Sequence, residues 1–96
     1  DLRNSKVVDV VREIEKSGAR VDVWDPWVSR IEARHEYGIT PIRNPKKGQY
    51  DAIVAAVAHR EFRELGVEQV RKLGRKGHVM YDIKYVFGRE TVDGRL

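Results

Sequence analysis

The sequence has no cysteine among its 96 residues. A disulfide framework, a cysteine-based metal site and a thiol nucleophile are therefore excluded. Long apolar runs are also missing, so the sequence predicts neither a membrane span nor a signal peptide. We expect a cytoplasmic protein that has no membrane partner.

Charged residues are plentiful, but they do not favour a nucleic-acid partner. They make up 35% of the chain, and the net charge is +4. The arginines alternate with glutamates and aspartates along the predicted helices, which is typical of solvated helix faces rather than of a basic stripe. With 41% hydrophobic residues, the length fits one small folded domain that spans residues 1–96.

The chain opens on a helical pattern. Asn4 or Ser5 can cap a first helix that runs to Ser17, and Gly18 supplies a left-handed exit. The apolar face of this helix contains Val7, Val8, Val10, Val11 and Ile14. In a βαβ unit a strand precedes such a helix, so the first strand of the fold is expected to be missing.

Strand patterns alternate with helical patterns along the rest of the chain. The apolar run 52–58 is continuous, which predicts a strand covered on both faces, as in a parallel sheet. Residues 84–96 show no clear period and are predicted as a terminal loop. The predicted strands are residues 19–24, 39–42, 51–58 and 78–83.

Three more helices are predicted between these strands. Residues 29–37 form a short helix with Ile31 and His35 facing inward. Residues 59–65 form a short helix or a turn, and residues 67–73 form a further helix after Gly66. This alternation predicts an α/β fold: a Rossmann-like, three-layer domain with a mainly parallel sheet and right-handed crossovers.

Arg3 is a candidate ligand-binding residue. It lies just before the first helix, where free N–H groups and the helix dipole favour an anion. Its guanidinium adds a planar fork that suits phosphate. From position alone, a salt bridge to Asp1 or simple solvent exposure is the alternative.

Other polar residues lie where predicted strands end. Asp25 can hold a ribose, although an Asx turn is the favoured interpretation. His59 is predicted to pack or to cap a helix, while Asp82 and Lys84 either pair with each other or line a cleft. The sequence shows no nucleophile–base pair, metal cluster or GxGxxG motif, so we assign no catalytic, cofactor-binding or metal-binding residue.

Four separated segments resemble the C-terminal UDP-binding domain of the UDP-glucose/GDP-mannose dehydrogenase family. Asp-Pro-Trp-Val, Ala-His-x-x-Phe and the ending Val-Asp-Gly-Arg-Leu are most similar to the branch that acts on UDP-N-acetyl-hexosamines. The resemblance covers essentially the whole chain. The segments are residues 1–5 (Asp-Leu-Arg-Asn-Ser), 21–28 (Val-Asp-Val-Trp-Asp-Pro-Trp-Val), 50–62 (Tyr-Asp-Ala-Ile-Val-Ala-Ala-Val-Ala-His-Arg-Glu-Phe) and 81–84 (Tyr-Asp-Ile-Lys).

The resemblance implies an NAD-dependent oxidation of a sugar C6 alcohol to a carboxylate for surface polysaccharide synthesis. It implies that an NAD-binding domain and a central dimerisation domain lie outside this chain. Those two domains hold the catalytic groups. The chain alone is then expected to be inactive. The family motif Asp-x-Arg-x-Ser matches Asp1, Arg3 and Ser5, and its arginine contacts the UDP-sugar.

The expected partners are a UDP-sugar, the other domains of the same enzyme and a second copy in a homodimer. A different class of function remains as the alternative, a non-catalytic Rossmann-like module for protein interaction or regulation. An open reading frame that carries GxGxxG and a cysteine motif upstream of Asp1 would favour the dehydrogenase.

Overall fold

The computed structural model describes residues 7–26, 31, 33–34 and 38–95. These fall into two compact units, Asp1–Pro45 and Lys46–Leu96. In the first unit, helix α1 spans Val7–Lys16, and Gly18 follows it with a φ of 96°, as predicted. The proposed caps Asn4 and Ser5 lie outside the described residues.

The apolar face of α1 packs into a small core of the first unit. Val11 of α1 is buried together with Ala33 and Ile39. The partly buried residues around them are Val7, Val8, Val21 and Val23. The predicted helix face is therefore confirmed at Val7, Val8 and Val11.

The two strands predicted in the first unit are wrong. Residues 19–24 and 39–42 form no strand, although the Ile42 N–H donates to the Val23 carbonyl at 2.8 Å. A period of two sets which side chains face the core, but a strand also needs a paired neighbour, and Pro41 has no N–H to donate.

A further correction concerns the direction of Ile31 in the helix predicted over residues 29–37. Ile31 is 83% exposed, whereas Ala33 is fully buried. Residues two apart lie on opposite sides of a helix, so the burial of Ala33 turns Ile31 outward. His35 lies outside the described residues.

The second unit contains a three-stranded parallel sheet in the order β1-β2-β3. Two short helices connect β1 to β2, and a 3-10 helix lies between β2 and β3. Gly66, with a φ of 89°, separates the two helices as predicted. The elements are β1 Tyr50–Ala55, α2 Arg60–Leu65, α3 Val67–Arg71, β2 Gly74–Asp82, the 3-10 helix Arg89–Thr91 and β3 Gly94–Arg95.

One face of this sheet carries the core of the second unit. Met80 of β2 is fully buried, and Val70 of α3 packs with it. The remaining members of the cluster are Val86, Phe87, Ile53, Ala55, Phe62, Val67 and Val92. Helices α2 and α3 therefore cover the face to which Ile53 and Met80 point.

The other face of β1 and β2 is exposed. Val54 and Tyr81, which are partners in the register, are each 37% exposed, and Val79 is 51% exposed. The expectation that the apolar run is covered on both faces is wrong, because both α2 and α3 pack on the opposite face.

The parallel sheet with its helices confirms the predicted α/β, Rossmann-like class. The expected loop over residues 84–96 is wrong, because it contains β3. β3 has only two residues, too few for a period to be read. None of the helices in the described parts of the chain is long and apolar enough to cross a membrane.

Candidate functional site

All three strands of the second unit end at the same edge of the sheet. β1 ends at Ala55, β2 at Asp82 and β3 at Arg95, and the strands are parallel. In open α/β sheets, ligands bind outside the carboxyl ends of the strands. We therefore take this carboxyl edge as the candidate site.

Asp82 organises the loop that follows β2. Its side chain is fully buried, and its carboxylate oxygens accept hydrogen bonds from the Val86 N–H at 3.1 Å and the Phe87 N–H at 2.9 Å. The exposed Lys84 is not its partner, so the first of the two alternatives for these residues, pairing with each other, does not hold. Two backbone donors satisfy the carboxylate without a cation.

The loop presents Tyr85 at the carboxyl edge. Tyr85 is 54% exposed. The guanidinium carbon of Arg95 lies 4.0 Å from the centroid of its ring. Among the described residues no carboxylate pairs with Arg95, and its buried Nε has no hydrogen-bond acceptor. A guanidinium without an acidic partner can accept an anion at this edge.

Asp93 anchors the start of β3 and so places Arg95. Its carboxylate accepts hydrogen bonds from the Met80 N–H at 2.7 Å and from Nη2 of Arg71 at 2.9 Å. The next residue, Gly94, has no side chain, and a Cβ there would overlap the ring of Tyr81. The backbone bond from Met80 and the bond from Arg71 hold the pKa of Asp93 below its usual value, against a smaller effect of burial.

The lowered pKa predicts a pH dependence of stability. Because the folded chain favours the carboxylate, Asp93 stabilises the fold above its ordinary pKa, and this contribution is lost as the pH falls through the folded value. On acidification below about pH 4, Asp93→Asn should therefore lose less stability than the wild-type chain. Urea unfolding midpoints at neutral and acidic pH measure the difference.

Asp51→Asn is the control for this measurement, because its side chain is 85% exposed and pairs with Arg75 at 3.3 Å. Its acid dependence should follow that of the wild type. If Asp93→Asn and the wild type lose stability in parallel, the anchoring role of the Asp93 carboxylate is refuted.

His59, which follows the apolar run, has a structural role. His59 is buried, its ring lies 5.7 Å from that of Phe62, and its carbonyl accepts the Phe62 N–H at 3.1 Å. The prediction of a packed histidine is confirmed, while its side chain makes no helix cap. Asp25 is also buried. The residues that an Asx turn would bind after it, and Arg3, lie outside the described residues.

Comparison with known proteins decides the family of this chain. The model of the UDP-glucose/GDP-mannose dehydrogenase family, UDP binding domain, matches residues 1–89. The chain belongs to this dehydrogenase family. No solved structure gives a significant match.

Three curated relatives of this UDP-binding domain span its whole length or nearly so. A UDP-N-acetyl-D-glucosamine 6-dehydrogenase of Pseudomonas aeruginosa is 55% identical over 96 residues, and one of Salmonella typhi is 47% identical over 96 residues. Protein CapL of Staphylococcus aureus is 26% identical over 93 residues, or 97% of this chain. The chain spans 22–23% of the length of these relatives.

The sequence patterns did not single out Arg95 or Tyr85 as candidate site residues. The available signal was the ending Val-Asp-Gly-Arg-Leu, which carried part of the family resemblance although its segment was predicted as a loop. Among the described residues, His, Asp and Glu side chains form no cluster of three or more that could hold a metal ion.

Proposed function

We propose that this chain is the UDP-sugar-binding domain of an NAD-dependent UDP-N-acetyl-hexosamine 6-dehydrogenase. The reaction oxidises the C6 alcohol of the sugar to a carboxylate in the cytoplasm, for surface polysaccharide synthesis. The observation that carries this proposal is the 55% and 47% identity, over the whole chain, to two UDP-N-acetyl-D-glucosamine 6-dehydrogenases.

The carboxyl edge of the sheet supports binding of the nucleotide's phosphates. Arg95 ends β3 there, and no carboxylate of the described residues neutralises it. A guanidinium donates two parallel hydrogen bonds to a phosphate, whereas a lysine acts as a point charge. We assign Arg95 to the diphosphate of the UDP-sugar, and we keep the proposal that Arg3 contacts the UDP-sugar as well.

The chain's own strand-to-helix connection does not fit NAD. A dinucleotide site needs glycines between the strand and the helix, so that the backbone can approach the pyrophosphate. Between β1 and α2 the chain has Ala-Val-Ala-His, residues 56–59, with no glycine. We therefore assign NAD to another domain of the enzyme, and no catalytic residue to this chain.

Oxidation by the complete enzyme tests the proposal. With UDP-N-acetylglucosamine or UDP-N-acetylgalactosamine, the enzyme should release two molecules of NADH for each sugar and form the corresponding uronic acid, which mass spectrometry identifies. The 96-residue chain alone should release none. An enzyme that reduces NAD with GDP-mannose but with neither UDP-sugar would refute it. Sedimentation of the enzyme tests the proposed homodimer.

A further inference from the structure

Arg95 stacks on the ring of Tyr85, and the backbone of Tyr85 has an unusual conformation. Among the described residues other than glycine, Tyr85 alone has a left-handed backbone, with a φ of 56°. This conformation is disfavoured for a bulky side chain, so neighbouring contacts must maintain it. The structure shows such contacts immediately after Tyr85, where the N–H groups of Val86 and Phe87 are bound by the carboxylate of Asp82.

This loop conformation determines where the Tyr85 ring lies. The ring is half exposed, and the guanidinium of Arg95 lies over its face at 4.0 Å from the centroid. Stacking uses the flat face of the guanidinium and none of its N–H bonds as donors. The stack also removes side-chain freedom from Arg95 before a ligand arrives, which lowers the entropic cost of binding.

We propose that Tyr85 is a positioning residue, which the Asp82-bound loop holds beneath Arg95 so that its guanidinium is preoriented for the diphosphate of the UDP-sugar. This inference rests on the proposed function, since it takes the diphosphate as the ligand of Arg95. Tyr85 itself makes no bond to the reacting sugar, so its loss should change binding and not the chemical step.

Kinetics of the complete enzyme test this role. Tyr85→Gly removes the ring and relieves the left-handed backbone, and Tyr85→Leu removes the ring but keeps apolar bulk. Both should raise KM for the UDP-sugar by about 3- to 30-fold, the range of a cation–π interaction, with kcat and KM for NAD unchanged. Tyr85→Phe keeps a ring face and should stay within about twofold of wild type.

The Arg95→Ala background distinguishes the possible failures. There, Tyr85→Leu should have no further effect, because the group that it positions is gone. If Arg95→Ala raises KM but Tyr85→Gly does not, the positioning role is refuted while the proposed site stands. If Arg95→Ala leaves KM unchanged, the assignment of Arg95 to the diphosphate fails, and the role of Tyr85 fails with it. A full effect of Tyr85→Leu in both backgrounds would show that Tyr85 acts independently of Arg95.

Discussion

Replacing Arg3 by alanine in the complete enzyme is expected to weaken UDP-sugar binding by roughly 10- to 150-fold, with NAD binding nearly unchanged. The loss of one charge-assisted hydrogen bond to a bound ligand costs about 1.5–3 kcal/mol, which corresponds to that change in affinity. Arg3→Lys should recover only part of the affinity, because an ammonium cannot reproduce the planar fork. Titration calorimetry with each ligand measures these dissociation constants.

The control for Arg3 is an arginine that lies away from the carboxyl edge of the sheet and already has an acidic partner. Arg75 lies in the amino-terminal half of β2, is 62% exposed and pairs with Asp51. Arg75→Ala removes the same charge and should leave both dissociation constants within about twofold, since exposed pairs contribute little. Equal UDP-sugar affinity in Arg3→Ala and wild type would mean that Arg3 is a surface residue, and the family motif would not carry over to it.

Local patterns predicted much of the fold because they reflect local physics. The helix face of α1 follows from the 3.6-residue period of its valines, and Gly18 ends the helix because glycine accepts a left-handed backbone without strain. The same holds for the break at Gly66. In each case the residues that decide the structure are within one turn of the feature.

Features that depend on distant partners could not be predicted in the same way. Residues 19–24 have the alternation of a strand but no strand pairing, while β3 is paired although Gly94 and Arg95 have no strand pattern. β3 exists because Asp93 binds the Met80 backbone and because Gly94 leaves room for the Tyr81 ring. Both contacts bridge more than ten positions along the chain.

The candidate site, too, was predictable in its position but not in the roles of its residues. The carboxyl edge was predictable, since parallel strands place their ends together and His59, Asp82 and Lys84 lie at or soon after those ends. The roles of these side chains could not be predicted, because each role depends on how deeply the side chain is buried. Asp82 is buried and holds the loop that presents Tyr85, and the cation over the Tyr85 ring is Arg95, thirteen positions after Asp82.

Asp82→Ala is expected to have the largest effect on stability. Its carboxylate satisfies two backbone N–H groups inside the fold, at Val86 and Phe87, and alanine would leave both without a protein partner. Hydrogen bonds to a charged group are each worth about 1.5–3 kcal/mol, so the variant should lose roughly 3–6 kcal/mol. This is a large share of the ~5–15 kcal/mol that stabilises a typical domain. Urea unfolding followed by circular dichroism measures the loss.

Two further variants show whether the loss comes from those bonds. Asp82→Asn keeps one acceptor but turns its amide N–H₂ towards the second donor, so it should fall between wild type and alanine. Asp51→Ala removes a carboxylate of the same type from an 85% exposed position, and it should cost less than about 1 kcal/mol. If Asp82→Ala destabilises the chain no more than Asp51→Ala does, the bonds to Val86 and Phe87 contribute nothing net, and the loop that presents Tyr85 must be held by its apolar contacts instead.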